Sequence, residues 1–147
     1  MSRFPLQTLL DLSNLRLDEA ARLLGGLIAG EQQAEERLAI LIQYRDEYHL
    51  RFLAAARSGL GRSEWHNYQG FIARLDEAII QARGQVDASK ERTASGKEEW
   101  LSKRGRVKAF DTLAQRHQNR LEYAETKREQ KSLDEHSARI AGQKTDE

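Results

Sequence analysis

The stretch FLAAARSGLGRSEWHNYQGFIARLDEAII, residues 52–80, decides the fold. Ser58-Gly59-Leu60-Gly61 is its turn-forming cluster, and no other cluster in the chain reads as a turn. On either side of it the apolar residues recur at alternating steps of three and four. Ser63 then suits the N-cap of the following helix, because its hydroxyl can accept from an otherwise unpaired backbone N–H.

Outward from that turn, the stepping toward the N-terminus meets Phe52, Tyr48, Arg45, Leu41, Leu38, Ala34, Glu31, Leu27, Leu24, Ala20, Leu17, Ser13 and Leu10. Only Arg45, Glu31 and Ser13 are polar. Toward the C-terminus it meets Trp65, Tyr68, Ile72, Leu75, Ile79, Ala82 and Val86, then the polar Ser89, Thr93 and Gly96. Trp100, Lys103, Val107, Phe110, Ala114, His117, Leu121 and Ala124 continue it. A 3.5-residue repeat held this long is a coiled-coil seam. The one proline, Pro5, favours a helix start near it, and no later proline interrupts either helix. Gly25-Gly26 and Gly30 each cost about 1 kcal/mol against Ala without ending the first helix.

The two seams complement each other. Folding at the turn sets residue i opposite roughly 120 − i, so that a positions face d positions, as an antiparallel pair requires. Glu31 then faces Ser89, polar on polar, and Ala20 faces Trp100, small on large. Residues 1–50 carry five basic and eight acidic side chains, and residues 83–108 carry eight basic and four acidic, which favours the same pairing. The fold class is therefore all-α: a single antiparallel two-helix coiled-coil hairpin over 1–147. Helix one is expected at about 6–56, the loop at 57–62, helix two at 63–140 and a tail at 141–147. Helix two outruns helix one, leaving an overhang beyond about Gln118 that is either a fraying tail or a segment ordered by a partner.

Composition narrows the function. The 147 residues carry a net charge of +1, with 32% charged and 39% hydrophobic residues and a mean hydropathy of −0.76. That is too polar for an ordinary deep core. With no Cys, disulfides, thiolate metal sites and cysteine nucleophiles are excluded. The N-terminus meets Asp11 before a signal-peptide core could form, so the chain is read as cytoplasmic, without membrane insertion. His49, His66, His117 and His136 lack a second ligand at the i+4 spacing of a helical metal site, and no GxxxxGK[ST] loop occurs. No catalytic residue, metal or cofactor is expected. The basic run Lys103-Arg104-Gly105-Arg106-Val107-Lys108 suits a face paired with the acidic first helix, with a nucleic-acid-binding coil as the rival and a self-associating structural coil as a third reading.

One edge beside the seam is unusual. With Leu38 at a and Leu41 at d, Tyr44 falls at g; with Trp65 at a, Phe71 and Ala78 also fall at g. The g flanks of an antiparallel pair share one side, whereas the e flank holds mostly polar residues such as Asp46, Gln69, Asp76 and Arg83. Tyr44 and Phe71, beside Leu41, Tyr48 and Leu75, read as a protein-binding edge, as a slightly widened core or as residues covered by the Gly59 loop.

The run LDEAARLLGGLIAGEQQAEERLAILIQYRDEYHLRF at 17–52, with WHNYQGFIARLDEAI at 65–79 and the KSLDE segment near the C-terminus, resembles the FliJ family of flagellar proteins. The resemblance spans essentially the whole chain. It implies a non-enzymatic coiled-coil component of the bacterial flagellar type III export apparatus, at the cytoplasmic side of the inner membrane and similar to the stalk subunit of rotary ATPases. The implied partners are the export ATPase ring, the export-gate membrane protein and the chaperones of late substrates, with no nucleic acid. The gate-contacting patch would fall on Leu41, Tyr44, Tyr48, Phe71, Leu75 and Ala78. The sequence departs from the family member compared at Arg37, which is Gln there, and at Ala82, which is His. The ATPase-facing part is implied to be the paired terminal segments.

Overall fold

The computed structural model describes residues 3–145. Two helices account for almost all of them: α1, Gln7–Arg57, and α2, Arg62–Thr145. Among the described residues there is no strand, and α2 is the longer helix.

The ends of the helices follow from local chemistry. Pro5 is not in the first turn of α1. The Gln7 N–H donates to the Phe4 carbonyl at 3.1 Å, closing a turn in which Pro5 occupies the position its fixed φ favours. At the C-terminus of α1, Ser58 and Gly59 donate back three residues to Ala55 and Ala56, which tightens the last turn. Gly59 then takes φ +92°, a backbone state that side chains with a Cβ resist. Ser63 does not cap α2. The Gly61 carbonyl accepts the first helical bond, from the Trp65 N–H at 3.1 Å, so glycine holds the cap position and Ser63 lies inside the first turn. The helix does start near Pro5, but Ser63 lies two residues past the cap, because a preference for a helix start does not fix its register.

The chain divides into two compact units, one formed by Met1–Asp18 with Ser102–Glu147 and the other by Glu19–Leu101. In the second unit α1 and α2 pack antiparallel across the 58–61 connection. Ala20, Leu75, Ile79, Ala82, Val86, Ser89 and Gly96 are buried there, and Leu24, Leu27, Glu31, Ala34, Leu38, Leu41, Tyr48 and Phe52 are half-buried. The buried positions are those of the 3.5-residue seam. No side chain is fully enclosed, as expected of a core only two helices thick. Thr93 ties the helices through the polar part of the seam: its hydroxyl lies 3.0 Å from the Ser89 carbonyl and 3.3 Å from the Leu27 carbonyl of α1. Ser89 in turn accepts from Arg92 at 3.1 Å. Arg45 is the exposed exception on the α1 seam, and its Nε lies 2.8 Å from Asp76 on α2. Both partners are nearly half exposed, so this pair sets register more than it adds stability.

In the unit holding both termini, Leu10, Ser13 and Val107 are buried, with Leu17, Lys103, Phe110, Ala114 and His117 half-buried. The Phe4 ring lies 5.7 Å from the His117 ring, and the Nε2 of His117 is buried without a hydrogen-bond partner. Half-burial continues through Leu121 and Ala124, so the fully exposed part of α2 begins near Glu125 and not at Gln118. From 125 to 143 every side chain is exposed, although the helix itself continues to Thr145. Lys103 and Val107 of the basic run face the seam.

Gly96 is the glycine at which an added Cβ would be crowded. A Cβ there would lie 2.7 Å from Leu27 Cδ1 and 3.6 Å from Leu24 Cδ1, whereas one at Gly84 would meet nothing within 4 Å. Gly84→Ala should therefore stabilise the chain by about 0.5–1 kcal/mol in chemical denaturation. Gly96→Leu should destabilise it by about 1–3 kcal/mol, because the added volume has to displace Leu27.

Candidate functional site: an aromatic ladder beside the loop

Near the 58–61 connection the seam changes from aliphatic to aromatic. α1 supplies Tyr44, Tyr48 and Phe52 at four-residue spacing; α2 supplies Trp65, Tyr68 and Phe71 at three-residue spacing. Each set lies along one face of its helix. The rings alternate between the helices from the loop inward. Trp65 lies 5.2 Å from Phe52, which stacks on Tyr68 at 3.4 Å with an 11° interplanar angle. Tyr68 stacks on Tyr48 at 5.5 Å, and Tyr48 lies 4.3 Å from Phe71. Phe71 meets Tyr44 edge-on at 6.2 Å. Contacts of this kind contribute about 0.5–1.5 kcal/mol each beyond their area, so the ladder clamps the two helices where the connection leaves them.

The outer members differ from the inner ones. Tyr44 is 52% exposed and Trp65 is 47% exposed, whereas the four rings between them are half-buried. Tyr44 therefore presents most of its ring to solvent while Phe71 supports its edge. Leu41 and Ala78 are half-buried and Leu75 is buried. Of the six residues expected to form the patch, ring contacts join Tyr44, Tyr48 and Phe71. Leu75, at 8% exposure, contributes little surface of its own. Ile40, at 65% exposure, lies on the same side of α1 as Tyr44 and was absent from the expected set. Trp65, Tyr68 and Phe52 were read only as seam residues. Their spacing with the patch aromatics was visible, but alternation across the helices depends on the register.

The polar part of the ladder is one hydrogen bond: His49 Nδ1 and the Tyr68 hydroxyl are 2.6 Å apart. Desolvation holds the Tyr68 phenol above its ordinary value, and the nearby Tyr48 and Asp76 push the same way against an opposing contribution from Arg45. Among the described residues no group of three or more His, Cys, Asp or Glu side chains could hold a metal ion. No described helix is long and apolar enough to cross a membrane.

The raised Tyr68 value has a definite sign. The folded state holds this proton more tightly than the unfolded chain, so its stabilising contribution is complete below the ordinary tyrosine range and is lost as pH rises through the higher folded value. Ultraviolet titration of the four tyrosines should show one ionising late. Tyr68→Phe should remove that step and flatten the alkaline fall in stability.

A family model described as "Flagellar FliJ protein" matches residues 1–146. The chain is 37% identical over 139 residues to the flagellar FliJ protein of Escherichia coli (strain K12), an alignment covering 95% of each chain. It is 38% identical over 139 residues to that of Salmonella typhi, again with 95% of each covered.

Proposed function

From the premise that the chain belongs to the flagellar FliJ protein family, we propose that it is a non-enzymatic component of the bacterial flagellar type III export apparatus. In this reading it links the export ATPase ring to the export-gate membrane protein and escorts the emptied chaperones of late substrates. It works in the cytoplasm, at the periphery of the inner membrane beneath the flagellum. The observation that carries the reading is the ladder edge, where solvent-exposed Tyr44 is backed by Phe71 and Tyr48 instead of by a filled core. A rigid aromatic backed by other rings binds a partner with little loss of side-chain entropy.

The ATPase contact is assigned to the other unit. There α2 offers residues 125–143 with every side chain exposed, Leu133 at 66% and Ile140 at 42% among them. A lone charged helix of this kind gains its stability from whatever packs on it. A two-helix element entering a six-fold ring also breaks the ring's symmetry. Contacts favouring one subunit state over another would then couple nucleotide turnover to the position of the helices. The nucleic-acid reading loses support because Lys103 and Val107 of the basic run belong to the seam.

Two variants separate the contacts. Tyr44→Ala should leave helicity intact, change stability by no more than about 1 kcal/mol, and weaken binding of the gate protein's soluble domain at least about tenfold. A collapse of thermal stability would make Tyr44 a core residue. Truncation after Ala124 should leave the melting transition unchanged and abolish ATPase binding, while retained binding would contradict the assignment.

A further inference from the structure

Below the ladder, on the same side of the second unit, lies a cleft of about 320 Å³ whose chemistry differs from the ladder's. Arg37 of α1 and Arg92 of α2 line it, with Gln33, Gln85 and Ser89. Gly30 also lines it, and a Cβ there would meet nothing within 4 Å. No carboxylate is among its lining residues. Neither guanidinium has an ion-pair partner among the described residues. Arg92 is held in place by its bond to the buried Ser89 hydroxyl, so one cation of the pair is preorganised. Two cations from opposite helices, flanked by amide and hydroxyl donors, form a receptor for a carboxylate.

The cleft shares residues with a groove that runs toward the ladder edge. Arg37 and Gln33 also line that groove, with Glu36, Ile40 and Leu41. Arg37 precedes Tyr44 by seven residues, two helical turns or about 10 Å along the same face. A partner helix or strand seated on Tyr44 and Ile40 therefore reaches the cleft within a few residues.

We propose that the partner seated on the ladder edge carries an Asp or Glu side chain that enters this cleft and is held between Arg37 and Arg92. The aromatic edge would then supply affinity, and the arginine pair would fix the register and select an acidic partner. The inference rests on the proposed gate contact for the partner's identity, but the cleft's own chemistry can be tested without it.

Two measurements on the full chain test it. In the first, arginine Nε–Hε NMR signals are followed during titration with sodium acetate, with sodium chloride at matched ionic strength as the control. Arg37 and Arg92 should shift together and at least about twofold more than exposed arginines such as Arg22 and Arg128, as a paired carboxylate site requires. Equal shifts at all arginines, or none, would overturn the cleft as a carboxylate receptor.

In the second, binding of the gate protein's soluble domain is measured against sodium chloride. The pair of substitutions Arg37→Gln and Arg92→Gln should weaken binding about tenfold and flatten its salt dependence. Arg92→Lys should retain most of that dependence, and Tyr44→Ala should weaken binding without changing the slope. Binding indifferent to both arginine substitutions would overturn the acidic-partner inference while leaving the gate contact standing. Absence of gate binding by the unsubstituted chain would overturn the gate reading, and the acetate titration would still decide the cleft.

Discussion

The antiparallel seam is the constraint on which the rest of the structure depends. Two helices alone leave side chains partly open to solvent, and none among the described residues is fully enclosed. Specificity has to come from register, which is fixed by matching small positions to large ones and polar to polar. Gly96 against Leu27 and Leu24, Thr93 against the Leu27 carbonyl and Arg45 against Asp76 each permit only a narrow slip in the second unit. Phe4 against His117 does the same in the unit that holds the termini. A one-residue slip would rotate the aromatic rungs out of contact.

The ladder edge and the arginine cleft are both products of that register. Tyr48 and Phe71 meet because their helices are in phase, and Arg37 and Arg92 line one cleft for the same reason. The ladder also explains how an exposed aromatic can be tolerated. Tyr44 is supported by Phe71, which is supported by Tyr48, so the outermost ring is fixed without being covered. In the proposed gate contact, stability and recognition would share the same rings and separate only at the rim. For that reason a substitution at Tyr44 is informative where one at Tyr48 or Tyr68 would also loosen the helices.

Much of this was legible in the residues. Positions such as Leu10, Ala20, Leu75, Ile79, Ala82 and Val86 follow the 3.5-residue period and are buried, because a two-helix core leaves periodicity as the dominant signal. Tyr44 at the flank is exposed, whereas its g position alone left an inward-folded ring equally open, and Leu75 is buried. What escaped were features decided by fractions of a turn. Gly61, not Ser63, caps α2, and Pro5 belongs to a turn ahead of α1. The ring order from Trp65 to Tyr44 and the pairing of Arg37 with Arg92 involve residues far apart in sequence. Neither has a local pattern to reveal it.

Family membership and the coiled-coil fold agree with each other, and the proposed links to ATPase and gate rest on the two exposed elements, residues 125–143 and the ladder edge. Sedimentation velocity of the chain mixed with the export ATPase and the gate protein's soluble domain of its own species tests the linking role most directly. The account predicts one boundary containing all three components, formed by a chain that is monomeric alone. A stable self-dimer that joins neither partner would contradict it.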